Sequence, residues 1–234
     1  SGLTGSTTGG QSAIILHQPH SPLFYIFVVP SNGQGDLTYS IVDITLSGGL
    51  GAVIQKNTVL YANPTEKLTA IYNCIAETYW IISHKYGTNE FYTYSLSSAG
   101  LNSTPLISAI GNIHFGGTIG YSHDAMGQMT ASPDQSILAV AQQFSNIIQL
   151  FDFNNANGAI SNPRTIPMNS AWGVAFSPDN TKLYCTQWTQ QDVIQIDITN
   201  PQSPGPPIVV GTTTGSSPGY GAGFLELTPN NHIY

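Results

Sequence analysis

The sequence predicts an all-β fold of the propeller class, built from four-stranded blades of roughly 45–55 residues. Three observations predict it. A strand–turn–strand pattern repeats 45 residues on: Ser132-Pro133-Asp134 returns as Ser177-Pro178-Asp179, and Asp152 returns as Asp197. The segments between these marks alternate at period 2 and are rich in β-branched and aromatic residues, which fits strands and excludes stacked helix pairs. The 234 residues include 24 glycines and 15 prolines, a turn-rich composition.

The elements follow in order. Residues 1–11, rich in Gly, Ser and Thr, read as a linker or processed start. A first unit has strands at 13–16, 24–29 and 37–43, and a second at 68–71, 79–83 and 91–94. The two clearest copies follow. One has strands at 137–141 and 147–153 after its Ser-Pro-Asp turn, the other at 183–186 and 193–198 after the matching turn. Proline presets φ in these turns and the aspartate caps its own backbone, so Asp134 and Asp179 are read as turn caps. Asp152 and Asp197 are read as anchors of strand ends, and Arg164 as lying in a Pro-flanked loop between blades. A fifth copy begins at Phe224 and runs to Tyr234. Each unit shows three clear strands and a less regular fourth. Residues 12–234 are therefore expected to form four blades and the start of a fifth. Open blade faces are sticky, so the expectation is part of a six- or seven-bladed ring, with a compact five-bladed ring as the alternative.

Composition excludes several classes. Charged residues make up only 7%, with five Lys+Arg against twelve Asp+Glu and a net charge of −7. Five cations cannot build the stripe that nucleic acid needs, or a polybasic membrane patch. The longest apolar run, residues 23–29, has strand length, so no membrane insertion is expected. The two cysteines, Cys74 and Cys185, form no paired spacing. Cys185 reads as a buried free thiol, with a bridge between the two left as the alternative. The Gly-rich stretches 47–51 and 215–223 lack a phosphate-loop lysine, and no Gly-x-Ser-x-Gly elbow occurs.

One family resemblance is carried by particular residues. Residues 171–184, Ala-Trp-Gly-Val-Ala-Phe-Ser-Pro-Asp-Asn-Thr-Lys-Leu-Tyr, are similar to a GVxFSPDGxKLY blade signature. Residues 150–154 and 158–163, the run 39–43, Gly48-Gly49-Leu50-Gly51, Lys56-Asn57 and residues 65–70 add to it. Together they resemble the lactonase-like, YVTN-type β-propellers of large exported surface proteins of Bacteroidetes, a group linked to gliding motility and type 9 secretion. The resemblance implies export to the cell surface or medium and says little about a ligand.

In a propeller, ligands meet the loops that lead into the first strand of a blade and those joining strands two and three. The first class here is 121–124, 170–172 and 220–221; the second is 84–86, 142–144 and 187–190. Aromatic residues recur in both with amides beside them, a mixture suited to glycan or peptide contact. The candidate binding residues are Tyr86, His123, Phe144, Trp172, Trp188 and Tyr220. The alternative is that these rings pack blade against blade. His114, His123 and Asp124 match no metal-ligand spacing, and His17 and His20 still less. Glu77 near Trp80 has no partner carboxylate placed by spacing. No catalytic residue, metal or cofactor is assigned. The expected role is a non-enzymatic unit of an exported surface protein, structural, adhesive or binding a protein or glycan. Secretion translocon components are further candidate partners. The alternative is a lactonase-like hydrolase using the central channel.

Overall fold

A computed structural model of the chain describes residues 2–5, 9–31, 33–115, 124–213 and 223–234. It is an all-β protein of the propeller class, with sixteen strands in four antiparallel sheets of four among the described residues. Each sheet is a meander, one blade per sheet, in which consecutive strands are neighbours. Blade one holds β1 (Ala13–His17), β2 (Leu23–Val28), β3 (Asp36–Asp43) and β4 (Ala52–Ala62). Blade two holds β5 (Pro64–Asn73), β6 (Thr78–Lys85), β7 (Glu90–Ser97) and β8 (Gly100–Ala109). Blade three holds β9 (Met129–Ala131), β10 (Ile137–Gln142), β11 (Ile147–Asn154) and β12 (Ala159–Pro167). Blade four holds β13 (Ala171–Phe176), β14 (Lys182–Gln187), β15 (Asp192–Asp197) and β16 (Ile208–Thr212). The chain divides into two compact units, Ser1–His114 with Asn154–Ala159, and Phe115–Phe153 with Ile160–Tyr234.

In the first unit, period-2 alternation sends every second side chain inward. Phe27, Val29, Leu37, Leu68, Ile81, Tyr94 and Leu96 form its core, all buried. Full burial of a side chain such as Phe27 or Ile81 stabilises by roughly 1.5–3 kcal/mol. A stacked pair, Tyr61 on Tyr92 with centroids 4.4 Å apart, adds to it. The hairpin tip Asn154–Ala159 is held by its Asn155 carbonyl, which accepts from Trp80 Nε1 at 3.0 Å and Asn73 Nδ2 at 2.7 Å. Gly158 there has φ +80°, and a Cβ would meet Trp80 Cε3 at 2.8 Å. Residues 2–5 lie on blade one, where Thr4 N donates to Asn57 Oδ1 and Asn57 Nδ2 to Gly2 O.

In the second unit, every residue of β10 and β13 is buried. Both faces of these strands are covered, which explains their unbroken apolar runs. Leu150, Val174, Phe176, Leu183, Cys185 and Ile196 lie in one cluster. Cys185 is a free thiol, as is the exposed Cys74. Burial pushes the Cys185 thiol up to about 12.

The repeated turns have one hydrogen-bonding scheme. Asp134 accepts from the Ser132 hydroxyl and Ser136 N; Asp179 accepts from the Ser177 hydroxyl, Thr181 N and the Thr181 hydroxyl. The Asp179 carboxyl is lowered by these donors, Ser177 first. In the matching turn of the copy that begins at Phe224, the Thr228 hydroxyl donates to Asn230 Oδ1. Asp197 accepts from Lys182 at 2.6 Å and from Thr199 N, and lies at about 2, chiefly through Lys182. Asp152 pairs with Arg164 at 2.5 Å. This corrects one expectation: Arg164 is inside β12, not in a loop. The β-strand at 159–167 carries prolines at 163 and 167, compatible with an outer strand that has no neighbour on one side.

Candidate functional site

The first strand of blade two carries a conspicuous irregularity. Pro64 pairs with Lys85 and Leu68 with Ser83, so Thr65, Glu66 and Lys67 all lie opposite the single residue His84. A bulge of this kind re-aims side chains and is common beside reactive sites. Here it turns a Glu-Lys pair into the interior: Glu66 is 2% exposed, and Thr65, Lys67, His84 and His114 are fully buried. Such residues are seldom buried without a reason. Glu66 Oε2 accepts from Gly10 N at 3.0 Å.

His114, which follows β8, is tied to the turn after β6: its N–H donates to Thr88 O at 3.0 Å and its carbonyl accepts from Gly87 N at 2.8 Å. Its ring stacks on that of His84, centroids 3.6 Å apart and planes 16° from parallel. Phe91 meets the His84 ring edge-on at 4.6 Å. Neither imidazole finds a hydrogen-bond partner of normal geometry among the described residues. Burial, then the positive charge of Lys67, pushes His84 down to about 3, against a weak opposing effect of the Lys85 backbone. Burial, then His84 and Lys67, holds His114 well below its usual value. Both rings are therefore neutral at pH 7. Neutral imidazoles can accept a proton or ligate a metal, but among the described residues no three His, Cys, Asp or Glu side chains group as metal ligands.

The expected binding residues fall in both units. Tyr86, just beyond His84, is half-buried, and its ring packs so closely on Gly33 that a Cβ there would lie 2.5 Å from Tyr86 Cγ. In the second unit, Trp172 is within β13 and buried, a correction to its expected place in a loop. Its ring lies 4.4 Å from that of Trp188 and 5.0 Å from that of Phe224. Trp188 is half-buried. Phe144 is 43% exposed and meets Phe115, 44% exposed, edge to face at 5.9 Å. His123 and Tyr220 lie outside the described residues. Asp124 is buried and accepts from Ser145 N and the Ser145 hydroxyl. Glu77 pairs with His20 at 2.7 Å on an exposed turn, and this carboxylate raises the imidazole. A groove of about 700 Å³ on blade one is lined by Gly2, Leu3, Val53, Ile54, Gln55 and Lys56 and contains no acid–base pair.

Sequence reasoning named His114 as a rejected metal ligand and His84 as a loop residue. Glu66 and Lys67 entered only within the run 65–70 that carries the family resemblance, not as site residues. The missed signal was a Glu-Lys pair opening an apolar strand in a chain with 7% charged residues.

No protein-family model matches the chain, and no curated protein matches it. Among solved structures it is similar to a periplasmic gluconolactonase of Pseudomonas aeruginosa, with TM-score 0.59, 12% identity, and 94% of this chain aligned to 62% of that one. A protein from Lactobacillus plantarum aligns with TM-score 0.56 and 14% identity over 90% of this chain and 59% of its own. A putative 6-phosphogluconolactonase of Bacteroides uniformis aligns with TM-score 0.51 and 12% identity over 93% of this chain and 75% of its own. The chain thus spans about three-fifths to three-quarters of these proteins. At such identity the likeness concerns the fold, and no residue role is carried across.

Proposed function

We propose that the chain is a lactonase-like hydrolase working at the Thr65–Lys67 bulge. The observation that carries the reading is a buried Lys67 beside two stacked, neutral imidazoles, His84 of β6 and His114 after β8, where β5 bulges with Glu66 also buried. The similarity in fold to gluconolactonases supports it. In the proposed reaction a neutral imidazole of His84 or His114 takes a proton from water as the water oxygen bonds to the lactone carbonyl carbon. The Lys67 ammonium stabilises the resulting oxyanion. Collapse breaks the ring C–O bond, the imidazolium returns its proton to the departing alkoxide, and a hydroxy acid leaves. The cluster is closed in the structure, so substrate access requires the nearby turn at Tyr86–Asn89 to part; Gly87 there is exposed.

The test is hydrolysis of D-glucono-δ-lactone above the buffer rate, followed by proton release. Lys67→Met and His114→Phe are each expected to lower kcat/KM by about 10²-fold or more, with the fold checked by circular dichroism. Phe144→Ala is expected to leave it unchanged. A wild-type rate equal to buffer overturns the reading.

A second reading rests on the exposed Phe115–Phe144 pair. Under it the chain is a binding unit of an exported surface protein, cargo of a type 9 secretion system, whose loops meet a glycan or protein. Binding on a glycan array that disappears in Phe144→Ala would support it, and no binding at all would count against it.

A further inference from the structure

Resting on the hydrolase reading above, we infer that the two imidazoles divide the work: His114 takes the proton from water, and His84 is a positioning residue that holds the His114 ring by stacking. Both rings are fully buried. Three observations tell them apart. The first is contact. His84 has a face against His114 at 3.6 Å and lies 4.6 Å from Phe91, whereas His114 lies 6.3 Å from Phe91. The second is the main chain. His84 is inside β6, with Ser83 buried before it and Lys85 half-buried after it, and it pairs with Phe91 across the ladder. A packed strand residue of this kind has little room to turn. His114 lies beyond β8, and its neighbours Ile113 and Phe115 are 51% and 44% exposed, so the chain is at the surface there and the imidazole is turned inward. The third is the way in. The turn at Tyr86–Asn89, which parts to admit substrate, is bonded to His114 itself: Gly87 N donates to the His114 carbonyl, and the His114 N–H donates to Thr88 O. Parting that turn uncovers His114 before His84.

A general base must aim a lone pair at the water it deprotonates, and in imidazole that lone pair lies in the plane of the ring. No ring nitrogen of either residue has a partner of normal geometry among the described residues, so no hydrogen bond to them sets that plane. Stacking on His84, with the planes 16° from parallel, sets it and leaves the in-plane nitrogens open. The positive charge of Lys67 acts on both rings and does not distinguish them. In the step, a water O–H bond breaks, its proton goes to a ring nitrogen of His114, and its oxygen bonds to the lactone carbonyl carbon. The same proton later leaves with the departing alkoxide. His84 exchanges no proton. It supplies a flat, neutral face, which another aromatic ring of similar size can replace.

The experiment measures hydrolysis of D-glucono-δ-lactone by the intact chain and single variants, with folding checked by circular dichroism. His114→Phe is expected to lower kcat by about 10²-fold or more. His84→Phe, which keeps a flat ring in the stack, is expected to stay within about threefold of the native chain. His84→Ala is expected to lose about tenfold or more in kcat, with KM little changed. A loss in His84→Phe as large as that in His114→Phe overturns the inference and leaves the hydrolase reading in place, as does an unchanged kcat in His84→Ala. If the native chain does not hydrolyse the lactone, the hydrolase reading fails. Acylation by diethyl pyrocarbonate, which attacks an unprotonated imidazole nitrogen, then decides the order of the rings separately, and it does so on the native chain where a variant does not fold. Located by peptide mass, His114 is expected to react about tenfold faster than His84 or more. Equal rates, a faster His84, or reaction at neither overturns the inference.

Discussion

Gln135, Asn180 and Asn231 hold the same place in three repeated turns, with φ of +65°, +60° and +62°. Left-handed backbone is costly for most side chains and tolerated by Asn, whose short amide bonds locally. Two copies carry Asn, and Gln135 is the strained one. Gln135→Asn should raise stability by about 0.5–1 kcal/mol in urea unfolding. The imidazole pair gives a second prediction at this scale. His84 is depressed to about 3 and His114 is held well below its usual value, so unfolding takes up protons wherever the unfolded imidazoles are charged and the folded ones are not. The stability they confer is complete above pH 6.5 and is lost as pH falls below it, for His84 down to about pH 3. Each such group contributes a slope of about 1.4 kcal/mol per pH unit in that window. Unfolding midpoints at pH 7, 6, 5 and 4 should fall steeply for the native chain and less steeply for His114→Phe; parallel curves would contradict the assignment.

At the scale of elements, the short segment at 223–225 is fastened to blade four by two buried side chains. Gln128 Oε1 accepts from Val174 N at 2.9 Å and Leu225 N at 3.1 Å, while its Nε2 donates to Leu225 O at 2.7 Å. Thr186 Oγ1 accepts from Gly173 N and donates to Gly223 O. Gly173 must lack a side chain, because a Cβ would lie 2.6 Å from Thr186 Oγ1 and 2.7 Å from Gly223 O. Gln128→Met keeps the volume and strands three backbone groups, each costing about 1–3 kcal/mol when left unpaired. A loss of at least about 2 kcal/mol is expected in chemical denaturation, and a loss under half of that would show that water replaces the amide.

At the scale of the whole molecule, sparse charge governs behaviour in solution. The net charge of −7 comes with 7% charged residues, and the isoelectric point is near 5.0. Repulsion between molecules vanishes there. The outer strand β16 is exposed along its length and carries no charge, with Ile208, Val209 and Val210 at 51%, 60% and 48% exposure. Such an edge invites pairing with another chain. Light scattering should peak near pH 5, and Val209→Lys should lower that peak without changing the melting midpoint by more than about 2 °C.

The sequence by itself determined the blades. Alternation at period 2, turns at a 45-residue spacing and apolar runs at β10 and β13 are properties of neighbouring residues, and hydrophobic burial reads them directly. It also determined the turn caps at Asp134 and Asp179 and the free thiol of Cys185, since these depend on contacts a few residues away or on strand membership. Only the tertiary structure decided that Trp172 is buried within a strand, that Arg164 belongs to a strand, and that Lys67, His84 and His114 come together in a dry place. A bulge and a return of the chain brought those three together across nearly fifty positions of sequence. Side-chain charge in such a place is set by what surrounds it in space, and local pattern carries no record of that.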